Sequence, residues 1–372
     1  MTQLGAPQGG LPARPESGGT GSADRIRRIV GDALRSFFAK PSKPSLPGDY
    51  LEPGFRRRWL GFLLPGTFLI FWALYLAQGL NGPHDFPIVG FDAHIYYRGS
   101  AAWLAGQNPW ATGAALAGHH FSYAGLPPTV ILLSPLTLLP EEAFLWLWLV
   151  ASFVAAIVVV RALRLPIGWI AYPPMMFGVM SANPNVVLLA LLLAGGTWGG
   201  AVASAIKVIA IPPLVGERRW RALLAVAAAL SASVVLFPGL WSSFLNQAAT
   251  VQSAISAESE GGFSAWGTPY LLLPTIAALV ILARIDLRAS AWLVVPALFP
   301  TSQYHYAMLA LPVDPFLAAA MAIPLRLVAP IMTIAYTAIR VGLLAWRRSG
   351  RGLPAGLAVG RPARERRPAR EQ

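Results

Sequence analysis

The chain contains no cysteine among its 372 residues. That excludes disulfides, thiolate metal sites and a cysteine nucleophile. Charge is scarce: Asp, Glu, Lys and Arg together make up 12% of the residues, roughly half the share of a typical soluble domain. A soluble enzyme, a nucleic-acid-binding module and a disordered scaffold all fit that composition poorly. What fills the space is apolar. Hydrophobic types reach 55% and the mean hydropathy is +0.55. Several apolar runs exceed ~18 residues, enough to cross a hydrocarbon layer of roughly 30 Å. The runs are continuous rather than alternating, which argues against a β-barrel. The composition predicts an all-α polytopic membrane protein.

The net charge of +13 would by itself suit a nucleic-acid partner. Its placement points elsewhere. Eighteen of the 29 basic residues lie before Trp59 or after Trp346. Basic tails flanking membrane segments belong on the cytoplasmic side and touch anionic lipid. The expected partners therefore include membrane lipids and no nucleic acid. Residues 1–55, rich in Gly, Pro, Ser and Arg, read as a disordered cytoplasmic tail. Within it, residues 22–38 carry an apolar face through Ile26, Ile29, Val30, Leu34 and Phe37, a candidate amphipathic helix on the inner leaflet. Residues 56–346 form the transmembrane domain, and 347–372 a second basic cytoplasmic tail. No cleavable signal peptide is evident.

Arg56, Arg57 and Arg58 precede a first span over about residues 59–80, which then leaves the cytoplasm. Residues 81–127 follow as an outer loop with Asp85, Asp92 and four of the five histidines, but only one basic residue, Arg98. Residues 129–139 are too short to span and contain Pro135, so they dip into the membrane or lie on it. A full span runs from Glu141 to Arg164, acidic outside and basic inside, in accord with the helix dipole. Short spans are expected at 166–181 and 184–197. The segment 198–215, broken by Gly199, Gly200, Pro212 and Pro213, reads as re-entrant beside a cavity. Further spans fall near 220–239 and 266–283, joined by an outer loop with Glu258 and Glu260, and about four short ones between 289 and 346. The sum is about ten crossings with both termini in the cytoplasm.

The most informative stretch is 90–110, GFDAHIYYRGSAAWLAGQNPW. A carboxylate at a membrane surface can take a proton from an attacking sugar hydroxyl, and Asp92 is placed for that. Asp92 equally suits the N-cap of a helix beginning near Ala93. Tyr96 falls on its face at i+4. Arg98 can neutralise a phosphate or pair with Asp85 or Asp92. Lys207, inside an apolar stretch, needs a phosphate, a carboxylate or a route to the interface. His305, between Tyr304 and Tyr306, either binds substrate or belongs to an interfacial aromatic anchor. His84, His94, His119 and His120 read as loop histidines, because no carboxylate recurs at ligand spacing; no metal site or cofactor is expected. The run Phe144 to Trp148 reads as a lipid-facing belt, and Trp103 and Trp110 as sugar-stacking candidates.

The order of these residues resembles a known family. Asp92 with Tyr96, then Gly106, Pro109 and Trp110, then Tyr123 and Pro127 is similar to the first outer loop of the family-87 glycosyltransferases. These are polyprenyl-phosphate-mannose-dependent enzymes of the GT-C superfamily. Asn183-Pro184-Asn185 resembles the family's G-Q-x-N, Ile206-Lys207 with Pro212-Pro213 its I-K-P stretch, and Ser302 to Tyr306 its later His-containing segment. Val208 stands where the family has Pro after the Lys. The resemblance implies a GT-C-like bundle of about ten transmembrane helices with re-entrant or short broken segments. It implies Asp92 as catalytic base, and Tyr96, Tyr97, Arg98, Trp110, Tyr123, Asn185, Lys207 and His305 as substrate-binding residues. It also implies a polyprenyl-phosphate-linked sugar as donor and a glycolipid or glycan as acceptor, met outside the plasma membrane. A transporter or flippase for a lipid-linked substrate is the alternative, and an inactive membrane scaffold a third reading.

Overall fold

The structure, a computed structural model, describes residues 58–81, 89–112, 114–116, 119–121, 123, 125–258, 263–300 and 302–348. The amphipathic segment at 22–38, both tails up to residue 57 and beyond 348, His84, Asp85 and Glu260 lie outside them. The described chain is almost wholly helical. A π-helical turn Trp59–Leu63 leads into α1 (Leu64–Asn81). Next come α2 (Phe91–Leu104), the single turn α3 (Pro109–Thr112) and a small antiparallel hairpin, β1 (Ala114–Leu116) with β2 (His119–Phe121), in which Ala115 faces His120. The segment 127–138 forms α4 (Pro127–Leu133) and a 3-10 stretch Ser134–Leu138. It is short, as expected from Pro135.

The long helix α5 spans Glu141–Ala162. Its 22 residues extend about 33 Å at 1.5 Å each, enough to cross a bilayer core. Glu141 and Glu142 sit in its first turn and Arg161 in its last, each on the favourable end of the dipole. Phe144, Trp148, Ser152, Ala155, Ala156 and Val159 are buried along one stripe, while Trp146, Val150 and Val154 are exposed. The aromatic run is thus divided: Trp146 faces outward, and Phe144 stacks on Trp148 at 5.6 Å inside the protein.

Two helices among the described residues, Glu141–Ala162 and Val328–Trp346, are long and apolar enough to cross a membrane, and up to four spans result if each of two bent pairs counts as one. This agrees with a helical membrane protein. The first bent pair is α6 (Pro173–Met180) and α7 (Pro184–Ala194), turned by 118° at a three-residue break. At 8 and 11 residues, neither is a span alone. Gly196, at φ 58, and Gly195 then fold α8 (Gly196–Ile206) tightly back on α7; a Cβ on Gly195 would lie 2.6 Å from the Leu191 carbonyl oxygen. The ladder breaks at Lys207 before α9 (Ile211–Gly216).

The second bent pair joins α10 (Trp220–Leu236) to α11 (Pro238–Glu258) at 101°. An outer loop was expected where α11 stands. Its buried Leu240 and Val251, with Phe244 packed beside them, recur on one face, which is enough for an amphipathic helix despite its polar residues. The described residues end with α12 (Pro269–Ile285), α13 (Leu287–Leu298), a 3-10 segment Tyr304–Ala310, α14 (Pro315–Met321) and α15 (Val328–Arg348). Where about four short spans were expected, only Val328–Trp346 has span length among the described residues.

Two clusters form the interior. The larger gathers α5, α6, α7, α13 and the Tyr304–Ala310 segment, with Trp169, Tyr172, Trp292 and Met308 at its centre. The smaller gathers Ala93, Tyr96, Trp110, Tyr123, Phe144, Trp148 and Leu240, and is the bed on which α2 lies. In a lipid surround such contacts hold helices together by close packing rather than by escape from water.

Candidate functional site

Gly90, not Asp92, caps α2. It sits at φ 77, a left-handed conformation that suits glycine, and a Cβ there would strike the Leu145 side chain. Asp92 therefore lies within the first helical turn with no capping bond of its own. The N-terminus of α2 is closed from outside instead. Gly90 N donates to Met180 O at 2.7 Å and Asp92 N to Ser181 O at 2.8 Å. The tip of the α6–α7 hairpin thus supplies carbonyls to the orphan amides of α2. At that tip Ala182 is fully buried at φ 54, a left-handed setting that costs a non-glycine residue about 1–2 kcal/mol.

That turn aims Asn183 at Asp92. The Asn183 Nδ2 donates to Asp92 Oδ2 at 2.8 Å. Its Oδ1 accepts from Asn185 N at 3.0 Å, capping α7, and from Lys207 Nζ at 3.5 Å. Lys207 reaches it because its backbone is extended, at φ −146 and ψ 133, between α8 and α9. The carbonyls of Ala205 and Ile206 at that break accept from Thr129 Oγ1 at 3.2 and 2.8 Å. Irregular backbone in an apolar setting needs such partners. Lys207 Nζ also lies 5.8 Å from the centre of the Tyr306 ring, on which His305 is stacked at 4.9 Å. One chain of contacts, Asp92–Asn183–Lys207–Tyr306–His305, thus joins four separate parts of the sequence.

Burial raises the Asp92 carboxyl above its ordinary value, while the Lys207 charge and hydrogen bonds from Asn183 and Ser181 pull it back. Burial and then the Lys207 charge push the His305 imidazole down to about 3. His305 is therefore neutral near pH 7, and its buried Nε2 has no hydrogen-bond partner among the described residues. Tyr96 is buried between these groups. Its ring meets Tyr123 edge-on at 5.5 Å, and burial with the nearby Tyr123, Asp92 and Tyr306 raises its hydroxyl.

Other expected residues are placed otherwise. Arg98 Nε donates to Glu141 Oε1 at 2.9 Å, and His94 Nδ1 lies 2.6 Å from the same oxygen, while the pairing with Asp85 that the sequence allowed lies outside the described residues. Tyr97 donates to Leu139 O at 2.9 Å. These three residues hold the far side of α2 to the start of α5. Trp110 is buried, with Nε1 donating to Gly125 O at 2.9 Å and its ring against Tyr123 and Phe244. Tyr123 itself fills the space left by Gly99 and Gly125. Trp103 packs on Phe237. Asn185 is fully buried, and its side-chain amide atoms have no partner among the described residues. Asn183 and Tyr306, not singled out as substrate-binding, are central. The signal for Asn183 was its place two residues before Asn185, at a helix start.

Among the described residues no three His, Asp or Glu side chains are grouped to hold a metal ion. No protein-family model, curated protein or solved structure matches the chain.

Proposed function

We propose that this chain is an integral membrane glycosyltransferase. It moves a hexose, mannose first, from a polyprenyl-phosphate carrier to a glycolipid or glycan acceptor at the outer face of the cell membrane. One observation carries the reading: Asn183 joins the Asp92 carboxylate to the Lys207 ammonium beside apolar helices. Transfer from a lipid phosphate needs a base for the acceptor and a cation for the departing group.

Asp92 accepts the proton of the acceptor hydroxyl as that oxygen bonds to the anomeric carbon. The bond from that carbon to the phosphate oxygen breaks, and its electron pair leaves with the polyprenyl phosphate. Lys207 offsets the charge that grows there. A single displacement inverts the anomeric centre. Tyr96 flanks the base, and the neutral His305 offers a ring N–H to an anionic oxygen. The bundle of about ten crossings, with both termini cytoplasmic, belongs to the same proposal. In it, apolar helices such as Pro269–Ile285 and Leu287–Leu298 cross as short or paired segments.

The test is purified protein in nanodiscs with polyprenyl-phosphate-mannose and candidate glycolipid acceptors, read by product mass. The expected result is an acceptor heavier by one hexose. Failure with every donor sugar overturns the proposal. The backbone break at Lys207 also suits a transporter of lipid-linked substrate. Movement of that substrate across liposomes with unchanged mass would select this second reading.

A further inference from the structure

We propose that Asn183 is the positioning residue of this site: its side-chain amide orients the Asp92 carboxylate and ties it to Lys207, beyond its role in capping α7. Only the consequence for turnover rests on the glycosyltransferase reading. Asn183 is 1% exposed. Its Oδ1 accepts from two donors, the Asn185 backbone N–H and Lys207 Nζ. Its neighbours therefore dictate which end of the amide is which. A flipped amide would set oxygen against the carboxylate and NH2 against an N–H and an ammonium. Nδ2 is left to donate, and it does so to Asp92 Oδ2 at 2.8 Å.

Backbone contacts maintain the same alignment. Asp92 N and Gly90 N are bonded to the hairpin tip, and the left-handed Ala182 turns Asn183 back over α2. Capping alone would require only the oxygen, which Ser, Thr or Asp also supplies. An amide is needed where one atom accepts from a helix N–H and a cation while the other donates to a carboxylate. The residue type thus points to Asp92 as well as to α7.

Asn183→Asp separates the two roles. It keeps an oxygen for Asn185 N and Lys207, removes the donor and sets a second carboxylate against Asp92. The readout is the Asp92 carboxyl band in an infrared titration of the full-length protein in nanodiscs, assigned on each background by its loss in Asp92→Asn. Thermal unfolding is recorded alongside. We expect unfolding near the wild-type temperature and an Asp92 midpoint higher by about one pH unit or more, an acid weakened roughly tenfold. Asn183→Ser, a good cap too short to reach both partners, moves the midpoint the same way by less. It serves also if the aspartate variant fails to fold. An unmoved midpoint in the folded variants reduces Asn183 to a helix cap and overturns the proposal. A shifted midpoint in a protein that transfers no sugar keeps the positioning role and removes the transferase reading. Wild-type transfer with an unmoved midpoint does the reverse.

Discussion

The two ends of α7 follow one electrostatic rule and reach opposite results. The helix runs about 16 Å from Pro184 to Ala194, with positive charge favoured near its C-terminus and negative near its N-terminus. At the C-terminal end Arg219 donates to the carbonyls of Leu192 and Gly196. Beside it Glu217 lies 3.9 Å from Arg219 and 3.4 Å from Arg288, and accepts from Trp292 Nε1 at 3.1 Å. Acid and base there meet directly. At the N-terminal end the Asp92 carboxylate and the Lys207 ammonium are bridged by an amide. Direct pairing suits a latch that closes the bundle. An acid and a base bridged by a neutral group leave each other free for the chemistry proposed above.

The largest effects should come from breaking the N-terminal end. Asp92→Asn leaves the shape and removes the proposed base. Transfer should fall by ~10²–10⁴-fold, the range a positioned base contributes, with expression and unfolding temperature retained. Product mass from purified wild type and variant decides it, and retained turnover would remove Asp92 from the chemistry. Next is Lys207→Met, which keeps the apolar stem and drops the charge. Losing one preorganised partner for the departing phosphate should cost about 10²-fold in kcat. Equal turnover would leave Lys207 only its contacts with Asn183 and Tyr306.

The C-terminal end should respond in stability instead. Arg219→Ala strips two carbonyls and Glu217 of a partner, at a cost of about 1–3 kcal/mol. Transfer per folded molecule should stay unchanged. A lower thermal midpoint in detergent with constant specific activity is the expected pair of results. Lost activity at unchanged stability would make the two ends functionally one.

How much of this was readable beforehand differs element by element. The start of α5 at Glu141 followed from its acidic turn, its end at Ala162 falls two residues before the expected Arg164, and the shortness of 127–138 followed from Pro135. A broken segment was expected over 198–215 from its glycines and prolines, but Gly199 and Gly200 lie inside α8, Pro212 and Pro213 open α9, and the break falls at Lys207. Local signals suffice where a residue's partner is the backbone nearby. They fail where the partner is distant. Arg98 meets Glu141 across 43 positions, and Asp92 meets Asn183 across 91. The cap of α2 was misread because an aspartate near a helix start suits that role; the left-handed Gly90 took it by backbone geometry. Helix α11 was missed because its Ser, Asn, Gln and Thr residues suggest a loop, whereas the spacing of Leu240, Phe244 and Val251 carried the helical period.

The smallest effect concerns pH and separates the two titratable groups of the N-terminal end. Asp92 is raised by burial, so the ionised base forms as pH rises through a value above 3.8. His305 is depressed to about 3 against an ordinary 6.5. Its neutral form is the one the fold favours. That contribution is complete above pH 6.5 and is lost as pH falls toward 3, because the unfolded chain then binds a proton the folded one refuses. At up to about 1.4 kcal/mol per pH unit, the wild type should lose about 2 kcal/mol between pH 6.5 and pH 5 from this group. His305→Gln removes that loss, so its thermal midpoint should gain on the wild type at pH 5 relative to pH 7.5. The acid limb of the transfer rate should stay where Asp92 puts it. A limb displaced by His305→Gln, with no change in the stability gap, would mean that the imidazole titrates in contact with solvent and that the acid limb is its own.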